Sequence, residues 1–84
     1  MVDETNFLGD LAVTPSFKNP GWYEISGPPR FGERDRHIVA YVDTQIGAVG
    51  TALGMNFLSA RMERDATKEA IALEAMDFFF SQLR

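Results

Sequence analysis

No cysteine occurs in this chain, and only one histidine. The first absence excludes a disulfide framework and thiolate zinc sites, and it fits a reducing compartment. The second leaves His37 as the sole imidazole. Nucleophilic catalysis needs a base beside its nucleophile, and no serine stands in a motif with His37. The carboxylate pair Glu33/Asp35 lies in a charged loop, where neither burial nor a fixed separation follows from the sequence. No His/Asp/Glu spacing suggests a metal site. Gly47, Gly50 and Gly54 lack the Lys-Ser/Thr of a phosphate loop and read as positions of close backbone packing. The expectation is a non-enzyme without metal or cofactor.

Positive charge is scarce too. Eight Lys+Arg stand against twelve Asp+Glu, for a net charge of -4. A nucleic-acid binder works by neutralising phosphates, so an acidic balance argues against that role. Long apolar runs are missing. The longest apolar run without a charge, Thr44 to Leu58, is shorter and richer in glycine than a membrane span of about 20 residues. Met1-Val2-Asp3-Glu4 lacks the basic start of a signal peptide. A soluble intracellular protein, cytoplasmic or nuclear and without a membrane role, is expected.

What is present suits one globular domain over residues 1–84. Hydrophobic content of 45% with 24% charged residues is too apolar for a disordered tail. A chain this short buries only about 60% of its unfolded surface, so a partner would add usefully to its stability.

Asp3 or Thr5 is placed to cap a short helix over Asn6–Ala12, with Phe7, Leu8 and Leu11 as its apolar face. Pro15, Asn19-Pro20 and Gly21 break it. Trp22–Ser26 alternates bulky and polar residues and reads as a strand, ended by Gly27-Pro28-Pro29. After the charged loop Arg30–Arg36, His37–Val42 is β-rich. Asp43–Gly54 holds three glycines, each costing about 1 kcal/mol in a helix interior. It reads as a long hairpin turning near Val49-Gly50, with a second arm from Met55 to Glu63. The competing reading is one helix from Arg34 to Arg64. The last segment, Ala66 to Leu83, is a helix capped by Asp65 or Thr67, with Glu69 in its first turn and Arg84 at its end.

Pro20-Gly21-Trp22-Tyr23-Glu24 followed by Gly27-Pro28-Pro29, with Thr67-Lys68-Glu69-Ala70 opening the last helix, resembles the double-stranded-RNA-binding domain (dsRBD) family. Asn6–Leu11 is similar to that family's first helix. The resemblance implies an α+β fold of order α-β-β-β-α, a three-stranded antiparallel sheet with two helices packed on one face. It also implies RNA contacts, whose candidates are Arg30, Arg34, Arg36, Arg61, Arg64 and Lys68. Arg30 stands where family members carry a minor-groove histidine, and one lysine remains of the three that bridge phosphates. Met62-Glu63-Arg64 replaces the Gly-x-Gly before that motif. Asp65 and Glu69 flank Lys68 at a helix N-terminus, where carboxylates repel phosphate. These departures resemble the family's protein-interaction subclass, whose domains dimerise or dock an RNA-processing partner through the third strand and second helix.

The last helix supports that reading on its own. Ala72, Ala75, Met76, Phe79 and Leu83 form one stripe; Ile71 and Phe78 widen it on one side, and Leu73 and Phe80 on the other. The arc is roughly 220°, against the stripe of a little over 100° that one sheet covers. The interface candidates are Phe57, Ala60, Ile71, Phe78 and Phe80, burying about 600–900 Å² per side, with strand pairing along Asn56–Met62. The partner is a second copy or another protein. Two other functions fit less of the chain: a weak duplex-RNA binder using the six basic residues, and a small acidic phage-type inhibitor mimicking nucleic-acid phosphates.

Overall fold

The computed structural model of the chain describes residues 5–83. Four strands come first: β1 Asn6–Leu8, β2 Leu11–Pro15, β3 Tyr23–Gly27 and β4 His37–Val42. Two helices follow, α1 Gln45–Met62 and α2 Ala66–Gln82. The strands form one antiparallel sheet in the order β1-β2-β3-β4. The α+β class stands, but among the described residues its order is β-β-β-β-α-α, with four strands instead of three and no helix ahead of them.

Residues 6–12 fold as a hairpin, not a helix. Leu8 pairs with Leu11 across the two-residue turn Gly9-Asp10. Gly9 adopts φ +64, a conformation that suits the first turn position of a tight hairpin and would break a helix. Of the residues proposed to cap that helix, Thr5 precedes β1 and Asp3 lies outside the described residues.

The second correction concerns residues 45–62. The expected long hairpin and its Met55–Glu63 arm are one α-helix, so Asn56–Met62 offers no strand edge for pairing. The competing single helix was right for this core stretch, although His37–Val42 is strand. Thr44 caps α1, its Oγ1 accepting the Gly47 N–H at 3.0 Å. The glycine penalty is offset by packing. Ala48 and Ala52 are fully buried with Val13 and Ile25, and Leu8, Leu11, Tyr23, Ala40, Val42, Val49 and Met55 surround them. Small alanines let the helix axis come close to the sheet.

The expected first and second strand positions need little change. β3 starts at Tyr23, one residue later than expected, and β4 occupies the expected range. Between them the register slips: Ile25 pairs with Ala40 but Ser26 with Ile38, leaving Val39 as a bulge. The bulge keeps both Ala40 and His37 on the helix side of the sheet.

A Schellman turn joins the helices. The Asp65 N–H donates to the Ala60 carbonyl at 3.0 Å and the Arg64 N–H to the Arg61 carbonyl at 3.1 Å, with Arg64 at φ 57. Asp65 then caps α2, its Oδ1 accepting the Lys68 N–H at 3.0 Å. Only α1 packs on the sheet. α2 packs on α1 and on no strand among the described residues, which corrects the expectation of two helices lying on one sheet face.

Candidate functional site

An 18-residue helix is about 27 Å long, whereas strands of five or six residues span roughly 17–20 Å. The end of α1 therefore overhangs the sheet, leaving Met62 85% exposed. Asn56 ties the overhang down, its Nδ2 donating to the Leu8 carbonyl at 2.6 Å. Beneath it opens a groove of about 820 Å³. Phe7, Leu11, Met55, Leu58, Ile71 and Ala75 supply apolar wall, and Asp10, Glu63 and Lys68 supply the charges. The Lys68 ammonium lies 3.3 Å from Glu63 Oε1. That hydrogen bond, then the charges of Glu63, Asp65 and Asp10, hold the Lys68 pKa above its ordinary value.

α2 forms one wall of the groove and contains no buried residue. Its half-buried residues Glu69, Ala72, Ala75, Met76 and Phe79 recur at helical spacing and face α1. Both expected apolar flanks remain exposed: Ile71 at 63% and Phe78 at 68% on one side, Leu73 at 46% and Phe80 at 43% on the other. The second flank is partly engaged. The Phe79 and Phe80 rings lie within 4 Å of the point where a Cβ on Gly50 would stand. They meet edge to face at 5.2 Å. Gly50 thus serves as a bed for two aromatic rings.

The five interface candidates do not form one patch. Ile71 lines the groove and Ala60, buried, sits at its base. Phe78 shares the Ile71 flank two helical turns on. Phe80 lies on the opposite flank, against α1. Phe57 is half-buried on α1 beneath the Arg61 guanidinium, 5.9 Å from its ring centroid. The sequence reading missed the groove's other contributors, Phe7, Leu11 and Leu58, because they belong to segments assigned to the wrong element.

The six basic candidates divide among different tasks. Arg36 is occupied on the sheet's open face, where its Nε donates to Ser26 Oγ at 3.2 Å and its guanidinium to the Ser26 and Asp10 carbonyls. It also sits 5.9 Å from the Phe7 ring centroid. Lys68 is paired with Glu63. Arg30, Arg34, Arg61 and Arg64 are exposed, interleaved along the chain with Glu33, Asp35, Glu63 and Asp65. The arrangement is a mixed-charge surface and not a continuous cationic track for a phosphate backbone.

No protein-family model, curated protein or solved structure matches this chain. Among the described residues no cluster of three or more His, Asp or Glu has the arrangement of a metal site. His37 Nδ1 is buried without a hydrogen-bond partner, and its ring lies against Gly27, 3.2 Å from a Cβ built there. No helix among the described residues is long and apolar enough to cross a membrane.

Proposed function

We propose that this chain is a non-catalytic protein-association module that pairs with a second copy of itself. The partner would cover the Ile71–Phe78 flank of α2 and the groove beside it. The observation that carries this reading is an apolar helix of 17 residues with none buried, supported by α1 alone. Exposed aromatic and aliphatic side chains on one helix flank are what an interface centre is made of.

The surface area supports a partner of substantial size. The chain exposes 6302 Å², whereas a compact monomer of 9.4 kDa exposes roughly 5,000 Å². The excess exceeds the roughly 800 Å² that each partner loses in a standard interface. Its extents of 41 × 36 × 20 Å describe a thin slab, the shape of one half of a thicker assembly. The core explains the need: four of its seven buried hydrophobic residues are alanines, and no aromatic ring is among them. Association of this kind requires the apolar helix and not the helix-first order of the family that Tyr23–Pro29 resembles.

Light scattering across a concentration series tests the proposal. The chain is expected to reach the mass of a dimer, and Phe78→Glu to weaken association at least tenfold while far-UV circular dichroism stays unchanged. A wild-type mass that remains monomeric, or a Phe78→Glu chain that unfolds, would overturn it.

A further inference from the structure

The loop between β3 and β4 carries a feature with no role inside its own molecule. Phe31 is 106% exposed, so its ring touches almost nothing. The loop around it is nevertheless well braced. Pro28 and Pro29 fix their φ angles. The Arg30 N–H donates to Glu33 Oε1 at 3.0 Å, the Glu33 N–H returns a bond to the Arg30 carbonyl at 2.9 Å, and Gly32 takes φ 86. A phenyl ring displayed on a rigid turn loses little entropy when it docks.

We infer that Phe31 of the second copy inserts into the apolar groove between the β1–β2 turn and α2, a contact that rests on the self-association proposed above. Three features argue for this occupant. The groove is large enough for a phenyl group and has apolar walls at Phe7, Met55, Leu58 and Ile71. Charge offers one match: Glu63 and Lys68 pair with each other in the groove, which leaves Asp10 as its remaining charge, and Arg30 and Arg34 stand nearest Phe31 in a loop that also carries Glu33 and Asp35. Finally, Pro28 lines the groove of its own chain, so knob and socket occupy the same end of the molecule. A two-fold axis between them lets each copy fill the other's groove at once, closing a dimer and not an open chain.

The test is sedimentation velocity on the full chain and on variants. Phe31→Ala removes a ring that makes no internal contact, so its fold is kept; it is expected to raise the dimer dissociation constant at least tenfold. Ile71→Glu, in the groove wall, is expected to do the same. An equimolar mixture of the two should form a heterodimer more readily than either forms its own dimer, since one intact knob then meets one intact socket. Arg30→Glu should weaken the dimer, and adding Asp10→Lys should restore it. A dimer unaffected by Phe31→Ala, or a mixture without heterodimer, overturns this inference and leaves self-association through the α2 flank standing. A chain that is monomeric at every concentration overturns both.

Discussion

Asn56 and Leu8, 48 residues apart in sequence, are joined by a 2.6 Å hydrogen bond from the Asn56 side chain to the Leu8 carbonyl. Gly9 follows immediately, and a Cβ there would stand 3.0 Å from Asn56 Nδ2. Amide and glycine together let the β1–β2 turn press against the middle of α1. Replacing Asn56 by Leu keeps the bulk but removes this tie between turn and helix, at a cost of about 1 kcal/mol. Gly9→Ala adds a left-handed backbone penalty of about 1–2 kcal/mol to a crowded contact. Urea unfolding should show both midpoints lowered. Unchanged midpoints would mean that the turn and the helix are not coupled.

Asp65 acts at two helix ends, closing α1 with its backbone N–H and opening α2 with its side chain. Asp65→Ala keeps the first bond and loses the second, so a loss of about 1 kcal/mol is expected. Asp65→Asn should retain most of it, since its carbonyl oxygen caps equally well. Thermal melts of the three chains check this, and equal melting of Asp65→Ala and wild type would remove the cap from the account.

Lys68 gives a pH signature. Its hydrogen bond to Glu63 and the Glu63 charge raise its folded-state pKa above the ordinary value of 10.5. A raised value means that the charged lysine is favoured by folding. Its contribution is therefore complete below the ordinary lysine range and disappears as pH climbs through the raised value. Carbon-detected NMR titration of Lys68 should show its midpoint falling in Glu63→Gln. No change on that substitution would separate the two side chains.

Some of this architecture could be read from residue order. α2 begins at Ala66 as its cap predicts, because Asp65 and the following amides act within one turn. His37–Val42 is a strand as its alternating branched residues suggest. The excess apolar arc of α2 was equally legible, since counting positions on a wheel needs no neighbour. The hairpin at Asn6–Pro15 was misread because its strands are too short for a period of two to be told from one of 3.6. The helix at Gln45–Met62 was misread because three glycines outweigh good helix formers when propensity is summed locally.

The groove illustrates the other limit. Phe7, Asn56 and Ile71 come from three elements, and nothing near any one of them in the chain announces the other two. Residue order was enough to establish an acidic composition, its charge pattern and a last helix with too much apolar surface, because these are sums over composition or over one helical turn. The choice of helix for residues 45–62 and the hollow beneath its overhang came from packing. Burying Ala48 and Ala52 on Val13 and Ile25 yields more free energy than the glycines cost, and that gain exists only once distant segments meet.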